Sequence, residues 1–253
     1  MKIVWRFLIT PVLLLSLLCP FAKAEPVRAE AEYGYLWSLS FDFEKSFDGV
    51  LTIEVGPWKD GQLVEVHETS TATVPCTRVG NVHLDGGDAV FSGAGYLTCT
   101  LNLAETVRRN HKLTIGEVDT YGSIFMAAKV NGAVNAVAPL FTHPDADYSL
   151  DFSQTWATTL SQSLWNGVGP MQATFPGVTI NTWETYTAEY GCSVAGPCFA
   201  SFAAGLQQQT QPTAGSWVQF STGPTTFEIG HAGGVFFTGR MASLLVDPGN
   251  SAH

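Results

Sequence analysis

Tyr35, Trp37, Leu39, Phe41 and Phe43 alternate with the polar residues Ser38, Ser40, Asp42 and Glu44. Successive side chains of an extended chain point to opposite faces, so this run commits five large apolar groups to one side of a strand. Such a strand is stable only when a second layer covers that side. The chain must therefore build at least two sheets, or one sheet closed on itself.

The rest of the sequence repeats this pattern in short pieces. Apolar or alternating runs at residues 50–55, 63–66, 74–79, 90–101, 113–118, 123–130, 134–141, 149–152, 155–160, 178–190, 197–206 and 216–221 are separated by turn residues. Gly56-Pro57 to Gly61, Asp85-Gly86-Gly87-Asp88, Ser92-Gly93-Ala94-Gly95 and Asn131-Gly132 read as turns, the last as a hairpin signal. Residues 207–215 are polar and read as a connection. One short helix is expected over residues 103–110, where Asn102 is available as N-cap with Glu105 three residues on. About a dozen short strands and at most one short helix predict an all-β, two-sheet antiparallel β-sandwich of jelly-roll type.

Residues 225–247 close the chain. Phe227 to Ile229 and Met241 to Val246 flank Gly230, Gly233, Gly234 and Gly239, which reads as a final hairpin. Strict alternation would put Met241 on the face opposite Leu244 and Val246. The pattern thus predicts either a bulge near Ala242-Ser243 or a strand buried on both sides.

Lys2 and Arg6 precede an apolar run of about twelve residues, and Ala22-Lys23-Ala24 supplies a small-x-small cleavage site. The run is shorter than the roughly 20 residues that span a bilayer. Residues 1–24 are therefore expected to be a cleaved secretory signal, leaving a single domain over residues 25–253. Removing Lys2, Arg6 and Lys23 from the 12 basic residues leaves nine against 22 acidic ones, a net charge of −13. That balance argues against a nucleic-acid or anionic-membrane partner, which needs clustered Lys and Arg. No Lys or Arg lies between Lys129 and Arg240, so hydroxyls and amides must keep that surface in solution. This composition suits a secreted or cell-surface protein, periplasmic if the source is Gram-negative. An even count of cysteines behind an export signal reads as two disulfides. Of three connectivities, Cys76–Cys99 and Cys192–Cys198 are expected, the second bracketing the turn-rich residues 193–197.

No G-x-S-x-G, H-E-x-x-H or phosphate-binding glycine loop occurs, and the sequence supplies no catalytic residue. Glu184 and Glu189 are five residues apart and would face opposite sides of a regular strand, which disfavours a glycosidase pair. His67, His83, His111, His143 and His231 are scattered and read as turn or surface histidines. Asp145, Asp147 and Asp151, beside His143, have a spacing that suits a structural calcium ion; the same spacing suits a solvated loop. No other cofactor is expected. Trp58 and Trp165-Asn166 fall in loop-like segments and are the candidate ligand residues, because a pyranose stacks on an indole while its hydroxyls bond amides. Trp37, Trp156, Trp183 and Trp217 fall inside strand patterns and read as core.

From Asn181 onward the sequence resembles the laminin G-like branch of the concanavalin A-like jelly rolls. Trp183 leads an alternating strand through Tyr186 and Tyr190, and residues 202–205 end a strand in glycine. Phe227-Glu228-Ile229-Gly230 supplies the third element and residues 234–246 the fourth. Ala204 stands where the family usually has Asn, and Ala242-Ser243 where it often has acidic residues. The resemblance implies a secreted recognition or adhesion domain, with carbohydrate or an extracellular protein surface as partner. A self-assembling surface protein and a jelly-roll glycosidase are the alternatives.

Overall fold

In a computed structural model of the chain, the described residues are 33–59, 62–102, 120–122, 124–132, 137–143, 148–156, 159–166, 170–176, 182–192, 198–213, 218–220 and 224–247. The signal segment and the expected helix over residues 103–110 lie outside them. The first strands are β1 (Tyr33–Asp42), β2 (Gly49–Lys59), β3 (Gln62–Leu63), β4 (Glu68–Val74), β5 (Cys76–Asp85) and β6 (Asp88–Asn102). There follow β7 (Thr120–Gly122), β8 (Ile124–Gly132), β9 (Val137–His143), β10 (Tyr148–Trp156), β11 (Thr159–Asn166) and β12 (Pro170–Pro176). Next come β13 (Glu184–Cys192), β14 (Cys198–Ala204), β15 (Gln207–Thr213) and β16 (Val218–Phe220). The chain closes with β17 (Pro224–Ile229), β18 (His231–Ala232), β19 (Val235–Phe236) and β20 (Thr238–Asp247).

The pairing builds two antiparallel layers, a β-sandwich of jelly-roll type. One layer runs β4-β2-β1-β20-β8-β13-β14-β15, the other β5-β6-β17-β9-β10-β11-β12. Their facing sides make the core. The alternating residues of β1 and the residue after it behave as their spacing dictates, with Tyr35, Trp37, Leu39, Phe41 and Phe43 all below 5% exposed. Phe41 meets Phe227 of the opposite layer edge to face at 6.0 Å, and Phe227 packs on Phe141 at 5.3 Å. Each such ring contributes about 1.5–3 kcal/mol of burial free energy.

Two strands join the layers. Residues 89–92 of β6 pair with β20, while residues 97–102 pair with β17 in the other layer. The change of partner occurs around Gly93 (φ 78°) and Gly95, opposite a register shift between Gly80 and Val82 of β5. Ser92 to Gly95 therefore bends a continuous strand rather than turning a hairpin, because β5 holds both halves of β6 in one ladder. A disulfide between Cys76 and Cys99 crosses the same ladder. In β20 the register shifts between Met241 and Ser243. Ala242 is the extra residue, so Met241, Leu244 and Val246 all reach the core. The expected bulge is present.

Other sequence expectations fail for physical reasons. The run over residues 74–79 is split at Pro75, which has no N–H to continue a ladder. Residues 207–215 are not a connection, for Gln207 to Thr213 form β15, aligned on β14 through the two-residue turn Gly205-Leu206. Asn131-Gly132 does not make a hairpin, since β8 and β9 belong to different layers. Nor do β17 and β20 pair, although both lie in the closing stretch. Between them Gly233 and Gly234 (φ 57° and 85°) turn a small arm, β18–β19. The Asp85-Gly86-Gly87-Asp88 turn is as expected, its glycines at φ 62° and 92°.

Candidate functional site

The outward side of the β4-to-β15 layer mixes hydroxyl and amide side chains with the half-buried Phe125 and Phe199 and the exposed Trp183. Tyr186, Ala188 and Tyr190 of β13 are buried, so the alternating Thr185, Thr187 and Glu189 take the outer side. Glu189 is aligned with Phe125 of β8 and with Ser201 of β14, and Ser201 with Thr210 of β15. The Ser201 and Thr210 hydroxyls are 3.2 Å apart, and the Gln208 amide donates to Ser201 Oγ at 3.1 Å.

Trp183 precedes β13 by one residue and is 40% exposed. It was expected in the core, but it stands where strand pairing has not yet begun and its ring lies on the solvent side. The Lys129 ammonium from β8 lies 5.9 Å from the ring centroid, the outer limit of a cation–π contact. Register places Lys129 between Ser243 of β20 and Thr185 of β13, both exposed.

Glu184 does not face this group. One of its carboxylate oxygens accepts the Thr185 N–H at 3.2 Å, and the carboxylate lies so close to Gly205 that a side chain there would meet it at 2.7 Å. Burial and then the Glu184 charge push the Tyr186 hydroxyl up to about 12. Glu189 lies on the outer side, so the two glutamates do face opposite ways. Further along the same outer side, a cavity of about 120 Å³ is lined by Leu36, Ser38, Thr52, Glu54 and Asp247. It is well below the roughly 300 Å³ at which small-molecule pockets begin.

A second cluster lies on the other layer. His231 of β18 stacks on Tyr96 of β6 with centroids 4.5 Å apart, and lies 4.7 Å from Phe236 of β19. Its Nδ1 is 2.6 Å from a Glu228 carboxylate oxygen. The three rings and the carboxylate fasten the β18–β19 arm to the sheet. This histidine is therefore neither a turn nor a plain surface residue, which its scattered position in the sequence gave no means of seeing.

The residues singled out from sequence do not converge. Trp58 lies in β2 of one layer, while Trp165 and Asn166 lie in β11 of the other, all within strands rather than loops. Trp165 shares a cross-strand row with Ser149, Thr142 and Glu228. Asp151 is in β10, paired with Ser163 and Pro139, while Asp145 and Asp147 fall outside the described residues. Among the described residues, no three His, Cys, Asp or Glu side chains are grouped to hold a metal ion. Cys192 is the register partner of Cys198, and Cys198 is disulfide-bonded.

No protein-family model matches the chain, and no curated protein sequence matches it. Similar solved structures include botulinum neurotoxin type C, described with two ganglioside molecules, at 12% identity and a TM-score of 0.46. That match covers 70% of this chain and 43% of the toxin chain. The binding domain of botulinum neurotoxin DC in complex with rat synaptotagmin II matches at 13% identity and a TM-score of 0.45, covering 70% and 44%. A heptameric SAP-like pentraxin from Limulus polyphemus matches at 14% identity and a TM-score of 0.42, covering 51% and 66%. The chain thus spans less than half the length of these toxin chains.

Proposed function

We propose that the chain is a secreted, non-catalytic recognition domain that binds carbohydrate through the outer side of the β4-to-β15 layer. One observation carries this reading: Trp183 is 40% exposed on the same outer side as Thr185, Thr187, Gln208 and Thr210. An indole in such a setting stacks on the apolar face of a pyranose while Thr and Gln side chains bond its hydroxyls. An extracellular protein surface is the other partner this chemistry suits. The laminin G-like assignment, removal of residues 1–24, a single domain from residue 25 and a structural calcium ion at Asp145, Asp147 and Asp151 belong to the same proposal.

The alternatives have less support. Pro212 within β15 removes a backbone donor from that strand, a known device against edge-to-edge assembly. Glu184 and Glu189 facing opposite ways do not form a glycosidase pair.

The test is a glycan array on the purified full chain, with and without calcium, followed by calorimetry on each hit. Trp183→Ala is expected to abolish binding while circular dichroism and the melting point stay close to wild type. Retained binding in that variant, or an array with no hits, would overturn the proposal.

A further inference from the structure

We infer that the saccharide received by this face carries a carboxylate or sulfate group, held by Lys129 between the hydroxyls of Ser243 and Thr185. The inference rests on the carbohydrate reading above and names the chemistry of the ligand.

Charge is the first ground. In a chain of net charge −10, the 110 residues that follow Lys129 up to Arg240 contain no cation. Lys129 is thus the only basic residue that β8, β13, β14 and β15 bring to their shared surface. The two described arginines are already engaged. Arg240 holds Asp85 and Asp88, at 3.2 and 3.0 Å, and Arg78 lies over the Phe47 ring and donates to the Val82 carbonyl. Among the described residues no carboxylate lies within ion-pair distance of the Lys129 ammonium, and Glu184, the nearest acid in sequence to Trp183, is turned against Gly205.

Geometry is the second ground. Ser243 and Thr185 are the two register partners of Lys129, one on each side, and both are exposed. An ammonium flanked by two hydroxyls presents donors to an anionic group without a competing acceptor charge. The Trp183 ring beside it supplies the stacking surface for the sugar that bears the group. At 5.9 Å the cation–π contact is at its outer limit, and Lys129 itself is exposed to solvent. At physiological salt the screening length is about 8 Å, so the overall negative charge does not bar an acidic saccharide from this contact.

The experiment measures binding of one oligosaccharide in neutral, uronic-acid and sulfated forms to the full chain and to Lys129→Gln, Lys129→Arg and Trp183→Ala. Lys129→Gln is expected to lose about tenfold or more on one or both acidic forms, with the neutral form within twofold of wild type. Lys129→Arg should retain the preference, raising salt to 1 M should erase it, and Trp183→Ala should weaken all forms. The two acidic arms distinguish carboxylate from sulfate. Equal weakening of neutral and acidic forms in Lys129→Gln would overturn the inference and leave the carbohydrate reading standing, as would a wild-type chain with no acidic preference. A wild-type chain that binds no form would overturn both.

Discussion

His231 Nδ1 lies 2.6 Å from a carboxylate oxygen of Glu228, and this contact ties the β18–β19 arm to the strand it has just left. The two residues are three positions apart, with the left-handed Gly230 between them. Glu228→Gln keeps the shape and removes the charge, and a charge-assisted hydrogen bond is worth about 1.5–3 kcal/mol against about 1 for a neutral one. Amide exchange at Ala232 and Val235 is expected to show local opening about 1 kcal/mol easier, with a smaller change in global urea unfolding. Equal changes in the two measurements would mean that the contact stabilises the whole sandwich and not the arm.

Gly230 and Gly234 both have positive φ, 84° and 85°, yet differ in what surrounds them. A Cβ at Gly230 would lie 2.7 Å from the Phe91 ring, whereas at Gly234 nothing lies within 4 Å. Gly234→Ala should therefore cost about 1 kcal/mol of backbone strain. Gly230→Ala adds displacement of a core ring and should cost roughly 3 kcal/mol or more. Chemical denaturation of the pair separates strain from packing.

Tyr35 is 3% exposed and its hydroxyl has no hydrogen-bond partner among the described residues. Desolvation pushes its pKa up to about 12 from 10. Because the folded value is the higher one, the stabilising contribution is complete below pH 10 and is lost as pH rises toward 12. Tyr35→Phe should be neutral or stabilising by about 1 kcal/mol at pH 7, since the orphan hydroxyl goes. It should also flatten the loss of stability between pH 10 and 12, read from melting temperatures across that range.

The Cys76–Cys99 bridge closes a loop with a sequence separation of 23. In the chain-entropy model that is worth about 3 kcal/mol. Replacing both cysteines with alanine should lower the melting point by roughly 10 °C. A melting point unchanged from wild type would contradict the model for this loop.

The parts of the fold that could be read in advance are those fixed by local chemistry. Five alternating residues from Tyr35 to Phe43 named their own core face, two glycines between Asp85 and Asp88 named their turn, and the broken alternation at Met241 named its bulge. What was missed depends on distant partners. Gln207 to Thr213 carry no apolar alternation and become a strand only because β14 offers a ladder. Ser92 to Gly95 look like a turn in isolation and are only a bend, because β5 keeps both halves of β6 in one ladder. The candidate site was hidden for the same reason: Trp183 reads as a strand residue, and its ammonium neighbour comes from a strand more than fifty positions away. Trp58, Trp165 and Asn166 were singled out as loop residues, and their loops proved to be strands.

β6 is shared by both layers, and that sharing has a mechanical meaning. A sandwich pulled apart between its sheets ordinarily yields where side chains slide over one another. Here backbone hydrogen bonds run from one sheet into the other through residues 89–102, and the Cys76–Cys99 bond lies within the same ladder. A load on the chain ends cannot extend the bridged segment, which removes roughly 80 Å of contour length from the stretch available before a covalent bond is tested. Separating the two sheets therefore requires breaking backbone hydrogen bonds as well as side-chain contacts.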